Sequence, residues 1–216
     1  MSERIEEAWP GAEPEPVPRP EEDEEELEPA AEAEPEEVPA EEDELPRLRG
    51  PEHGPGELEV PPGYNVVEGS PDGGRRAVAV VISRFNGSVT NRLLESALDE
   101  LERAGVAREA VTVLPVPGAF ELPLAAMALA KTRRFSCVVA LGAVIRGETP
   151  HFDYVAGEAA SGLQLAALET GIPVAFGVLT CDTLEQAEER VEKGAEAVRG
   201  ALEMADLFTQ LRSATG

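Results

Sequence analysis

His151 is one of only two histidines in the chain, and the other, His53, stands in an acidic, proline-rich stretch. Imidazole is the side chain whose ordinary titration range straddles neutral pH, so His151 is the natural candidate for moving protons in a reaction. Thr149-Pro150 just before it reads as a helix N-cap followed by a first-turn proline, which sets His151 in the opening turn of a helix. The bland alternative is a histidine satisfied by its surroundings. Gly147-Glu148-Thr149 offers backbone N–H groups and a hydroxyl at the same helix start, as an anion such as phosphate requires. Arg190 and Lys193 could add cationic charge, although arginine and lysine on a helix surface are usually only solvated. Phe85-Asn86 follows an apolar run, so the ring either stacks on a planar ligand or caps the end of the core. Glu121 either accepts hydrogen bonds from substrate hydroxyls or favours the N-terminus of its own helix.

Other chemistries find no support. The chain has no GxGxxG and no GxxxxGK[ST], so neither a dinucleotide nor a nucleoside-triphosphate loop of the usual kind is expected. Its two cysteines, Cys137 and Cys181, form no CxxC pair and no histidine cluster. They are expected to be buried or half-buried thiols, with no metal site, no disulfide framework and no nucleophilic role.

These groups must be carried by elements, and the pattern supplies them in regular alternation. Residues 77–82 (AVAVVI) form an apolar run, as expected of a strand covered on both faces. Val89, Leu93, Leu94, Ala97, Leu98 and Leu101 repeat at helical spacing, and Gly105 stands where a helix end wants a left-handed residue. Strands are then expected at 111–114, 137–141 and 174–179. Between them lie an alanine-rich helix over 119–130, with Pro123 in its first turn, and a long helix from Pro150. Thr183 with Gln186 fits a capping box, and steps of three and four residues from Val191 to Phe208 predict one long C-terminal helix, bent at Gly194. Strand–helix alternation of this kind implies a parallel sheet with right-handed crossovers and helices on both faces, a flavodoxin-like α/β sandwich in three layers with a four-stranded sheet. In such a sheet ligands sit outside the carboxyl ends of the strands. The loops there are 83–86, 117–121, 142–151 and 180–182, and they hold the candidate residues.

The first sixty residues carry 23 acidic and four basic side chains and eleven prolines; the remainder carries 20 acidic and 14 basic. A stretch of the first kind cannot bury enough apolar surface to offset its chain entropy, so 1–60 is expected to be a disordered acidic extension and 61–216 the folded domain. The net charge of −25 argues against binding nucleic acid or an anionic membrane, which need a basic face. No apolar run approaches a membrane span, and the N-terminus is acidic where a signal peptide is basic, so a cytoplasmic protein is expected.

The segments that carry the candidate chemistry resemble the signature pieces of the 6,7-dimethyl-8-ribityllumazine synthase family: RFNGSVTNRLLESAL at 84–98, VPGAFELPLAA at 116–126, LGAVIRGETPHFDYVAGEA at 141–159 and PVAFGVLTCDTLEQAEER at 173–190. The resemblance implies a transferase of riboflavin biosynthesis. Its reaction would condense 5-amino-6-(D-ribitylamino)uracil with 3,4-dihydroxy-2-butanone 4-phosphate, with neither metal nor organic cofactor. It implies that Phe85 stacks on the pyrimidine beside Asn86, that Ala119, Phe120 and Glu121 line the ribityl chain, and that Ala143, Val144 and Ile145 present backbone groups to the uracil edge. Gly147, Glu148, Thr149 and Arg190 would hold the phosphate, and His151 would shuttle protons. It implies further a homo-oligomer, a pentamer or a multiple of pentamers up to an icosahedral shell. Its sites would lie between subunits, with Phe176, Arg190 and Lys193 supplied by the neighbour. Residues 65–69 (NVVEG) resemble the family's N-terminal strand, which adds to the adjacent subunit's sheet. Only Val191-Glu192 separate Arg190 from Lys193-Gly194, where the family carries a longer glycine-rich connection, and the acidic extension is not a general family feature. The alternative is a catalytically weak, shell-forming or scaffold relative whose acidic tail recruits a partner. A generic flavodoxin-like phosphate binder would account for the fold but not for the four motifs.

Overall fold

The computed structural model describes residues 59–214, and the expected extension over 1–60 lies almost wholly outside them. Four strands, β1 (Val78–Ser83), β2 (Val111–Val116), β3 (Cys137–Ile145) and β4 (Val174–Cys181), alternate with helices α1 (Gly87–Arg103), α2 (Leu122–Lys131) and α3 (His151–Thr170). A short α4 (Leu184–Glu188) and a long α5 (Lys193–Ala214) follow. The strands pair in the order β2-β1-β3-β4, all parallel, so this is a flavodoxin-like α/β arrangement.

The three layers follow from side-chain alternation along the central strands. Val78, Val80 and Ile82 of β1 face Ala97 and Leu101 of α1 and Val198 and Leu202 of α5. Ala79 and Val81 face the other way, toward Leu122 and Ala126 of α2 and Leu163 of α3. A strand buried on both sides needs no polar alternation, which is why 77–82 reads as one apolar run. The left-handed glycine expected after α1 is found at Gly105, with φ of 83°.

Three expectations are corrected. First, β3 and β4 run further than 137–141 and 174–179. Gly142 looks like the start of a loop but pairs with Val178, and the ladder continues to Ile145 opposite Cys181. A Cβ at Gly142 would stand 3.1 Å from both Leu122 Cδ1 and Ser83 Oγ, so this glycine marks a close approach inside a strand rather than a turn. Second, residues 119–121 form a 3-10 turn ahead of α2, which itself begins at Leu122 with Pro123 in its opening turn. Third, the long C-terminal helix expected from Val191 is found, but it starts at Lys193 and is separate from the helix that Thr183 opens. α4 is capped by Thr183, whose side chain accepts from Gln186 N, and the chain then turns over 189–192 before α5 starts. Gln186 reaches back to Asp182 N rather than to the cap residue. Gly194 lies in the first turn of α5, where a Cβ would come 2.3 Å from the carbonyl oxygen of Leu93 in α1. It lets two backbones touch and does not bend a helix.

That contact yields a prediction of sign. Glycine to alanine inside a helix ordinarily stabilises by about 0.4–1 kcal/mol, whereas overpacking costs about 1–3 kcal/mol. Gly194→Ala is therefore expected to lower stability and Gly200→Ala, where a Cβ meets nothing within 4 Å, to raise it. Urea unfolding of the two variants checks this; two changes of the same sign would remove the close contact as the reason for Gly194.

Among the described residues, 65–69 pair with no strand. Val66 and Val67 are exposed, while the segment's end is tied to α5: Gln210 Nε2 donates to Glu68 O at 2.8 Å, and Ser70 N to Asp206 Oδ2 at 3.1 Å. Among the described residues no helix is long and apolar enough to cross a membrane.

Candidate functional site

A crevice of about 540 Å³ opens at the carboxyl ends of the strands. Its first wall is the β1–α1 turn. Asn86 holds a left-handed backbone, φ 57° and ψ 48°, which asparagine tolerates better than most residues. Its side chain does not cap α1 but donates from Nδ2 to Ala143 O at 2.9 Å, tying this turn to β3. The tie sets the neighbouring Phe85 at the mouth of the crevice with 69% of its surface exposed. A ring that capped the core would be covered, so core capping does not account for Phe85.

The second wall is the turn over 118–121. Glu121 Oε2 accepts from Gly118 N at 2.8 Å, so the carboxylate does favour the start of its own helix, while the residue also lines the crevice. Ala119 is buried, and Phe120 lines the opening with 57% exposure, a second ring more than half uncovered.

The floor is the end of β3. β1 pairs with β3 only as far as Leu141, so beyond that point the β1 side of β3 is open. Ala143 O turns that way, to meet Asn86, and Ile145, two residues on, directs its peptide groups to the same side. Ala143, Val144 and Ile145 all line the crevice. They are strand rather than loop, and because β1 is shorter it is the peptide groups of Ile145 that are left without a strand partner on that side.

The far wall is the start of α3. Pro150, not Thr149, is the N-cap residue, and no side-chain hydrogen bond caps the helix. The chain enters the helix one residue later than Thr149-Pro150 suggests, so His151 is the first helical residue and the Thr149 hydroxyl is not spent on capping. Gly147, Thr149 and His151 line the crevice, and a Cβ at Gly147 would meet nothing within 4 Å. Backbone approach there is open.

The crevice thus gathers Phe85, Asn86, Ala119, Phe120, Glu121, Ala143, Val144, Ile145, Gly147, Thr149 and His151 from four separate segments. Glu148 is exposed and outside its lining, as are Phe176 and Arg190 of the same chain, and the half-buried Lys193 also lies outside it. Phe176 sits on the edge strand β4 opposite Ala140, 46% exposed. Arg190 Nη1 donates to Gln186 O at 2.8 Å, and Lys193 Nζ to Glu196 Oε2 at 2.6 Å. Sequence reasoning missed Gly118, Phe152, Tyr154 and Val155 as lining residues. The signal for the last was present: Val155 lies four residues after His151, one helical turn along the same face.

The cysteines stand apart from this chemistry. Burial pushes the Cys137 thiol up to about 12, against the opposing charge of Arg76, and burial also raises Cys181. The thiolate is the nucleophile, so neither is poised to act as one.

Fold and crevice together define an α/β protein of the flavodoxin-like class with a crevice of small-molecule size at the strand ends. That crevice offers two largely exposed rings, a carboxylate, the strand end at Ile145, an open loop at a helix start and one histidine. Residues 75–209 match the sequence model described as 6,7-dimethyl-8-ribityllumazine synthase. The chain belongs to that family, whose members are transferases of riboflavin biosynthesis.

Proposed function

We propose that the protein condenses 5-amino-6-(D-ribitylamino)uracil with 3,4-dihydroxy-2-butanone 4-phosphate to give 6,7-dimethyl-8-ribityllumazine, phosphate and water. The observation that carries this reading is the convergence of the family's separated motifs on one crevice whose rings, Phe85 and Phe120, are left unpacked by the chain itself. In this reading Phe85 stacks on the pyrimidine, Ala143 to Ile145 meet its polar edge, and Glu121 with Ala119 and Phe120 receives the ribityl chain. The uracil amine attacks the ketone, water leaves to give an imine, phosphate is eliminated, and the ring closes with loss of water. Each step relocates a proton, which His151 accepts and returns, while positioning supplies much of the remaining acceleration.

The second substrate's phosphate falls to Gly147, Glu148 and Thr149. Among the described residues, the lining formed by one chain includes a carboxylate and a histidine but no arginine or lysine. A bound phosphate calls for cationic partners. That gap supports a site completed by an adjoining subunit's Arg190, with Phe176 and Lys193 beside it, in a homo-oligomer where residues 65–69 extend the neighbour's sheet.

Incubating the purified protein with both substrates and following product fluorescence tests the reaction; no product from a folded oligomer would end this reading. Gly147→Ala tests the phosphate loop separately. An added methyl meets no atom of the chain, so melting temperature is expected to hold while KM for the phosphorylated substrate rises by about five- to fifty-fold, the scale of one or two lost hydrogen bonds. An unchanged KM would place the phosphate elsewhere.

A further inference from the structure

We infer that Arg146 is a positioning residue for this reaction, a strap that holds the loop over residues 147–150 in the shape that receives phosphate. The inference rests on the reading of the site given above. Arg146 follows directly on β3, and its backbone N donates to Cys181 O at 2.9 Å. Its side chain then reaches in two directions. Nε donates to Asp182 Oδ1 at 2.9 Å, just past the end of β4. Nη1 lies 3.2 Å from Asp153 Oδ1, and the guanidinium sits 4.1 Å from the centre of the Phe152 ring.

Phe152 and Asp153 are the two residues after His151, and Phe152 itself lines the crevice. One side chain therefore closes the chain from Arg146 to Asp153 into a ring and ties that ring to β4. The helix start it holds has no side-chain cap, and the loop it encloses contains Gly147, whose backbone is open on one side.

Single exposed ion pairs contribute little, and these side chains retain 43%, 59% and 67% of their exposure at Arg146, Asp153 and Asp182. The difference here is that three contacts share one rigid plane, so ordering one side chain secures all of them. Only a guanidinium can bond two carboxylates at its edge while laying its face on a ring. Lysine carries the charge without that geometry. The expected gain is not global stability but accuracy in a loop whose N–H groups must reach one anion together, where small displacements are costly.

Steady-state kinetics on Arg146→Gln, Arg146→Lys, Asp153→Asn and the double variant Arg146→Gln/Asp153→Asn test this. Arg146→Gln is expected to raise KM for the phosphorylated substrate roughly tenfold, an effect of the size that loop misplacement produces, with KM for the uracil substrate and the melting temperature nearly unchanged. Arg146→Lys should recover little of the loss. Asp153→Asn should reproduce part of it, and the double variant should be no worse than Arg146→Gln alone, because both substitutions cut one strap. Full recovery by lysine, additive losses, or a lower KM in Asp153→Asn would overturn the strap, the last by showing that a released guanidinium binds phosphate directly. Hydrogen exchange gives a readout that needs no turnover: the amides of Arg146 and Asp153, bonded to Cys181 O and Pro150 O at the two ends of the loop, should exchange faster in Arg146→Gln, and unchanged protection there refutes the inference. Faster exchange alongside a wild-type protein that makes no lumazine would keep the strap and discard the proposed reaction.

Discussion

Replacing His151 by alanine is expected to slow formation of the fluorescent product by about ten- to a thousand-fold, the usual contribution of a positioned acid–base group. The residue is exposed at the first position of α3, so its removal leaves no cavity and the fold should be unaffected. Substrate affinity should also survive, since the rings at Phe85 and Phe120, the β3 backbone and the 147–149 loop are untouched. The loss should therefore fall mainly on kcat, the pattern of a group that works in the transition state. The imine-forming, eliminating and ring-closing steps each need a proton taken up and given back, and the crevice lining includes no other side chain that does so readily near neutral pH. A variant as fast as the wild type would remove His151 from the chemistry and leave the reaction to positioning alone.

The second large effect concerns Arg190, and it needs two chains to appear. Arg190→Ala is expected to cost about ten- to a hundred-fold in kcat/KM for the phosphorylated substrate, as loss of a charged hydrogen bond to phosphate implies. Within its own chain Arg190 lies outside the crevice and is held by Gln186 O at 2.8 Å and by Glu189 Oε2 at 3.7 Å. If it serves the neighbour's crevice, His151→Ala and Arg190→Ala subunits co-expressed in equal amounts should complement. In a ring of head-to-tail contacts roughly one interface in four then joins an intact His151 to an intact Arg190. Activity should rise to about that share of the wild-type value, well above either variant alone. A mixture no better than its parents would show that each site is built within one chain.

Much of the fold was legible because each signal came from a single element meeting a single environment. The apolar run at 77–82 announces a strand covered on both faces, and Val89, Leu93, Ala97 and Leu101 announce a helix with one buried face. The errors fall where two elements decide together. Gly142 carries the local chemistry of a turn, yet β4 supplies hydrogen-bond partners up to Ile145 and the missing side chain makes room for Leu122. The three- and four-residue spacing across Gly194 does mark one long helix, α5, but the break at 189–192 that parts it from α4 and its seat against Leu93 of α1 are not in that spacing. Thr149 has the composition of an N-cap, but Pro150 takes that position.

The candidate site divides in the same way. Composition and motif alone determined that a lone folded-region histidine, a glycine-opened loop, an aromatic at a strand end and a carboxylate belong to the loops after successive strands, because strand–helix alternation assigns those loops to one side of a parallel sheet. Only the tertiary structure decided which of them share a crevice. Strand order brings β1 and β3 side by side, and the early end of β1 leaves Ala143 O to the Asn86 side chain and Ile145 without a strand partner on that side. The bond from Asn86 to Ala143 O and the strap at Arg146 then hold the two ends of that opening. Those facts depend on register and on contacts between residues distant in sequence. A pattern along one strand or helix reports which of its faces is buried, and cannot say what is buried against it.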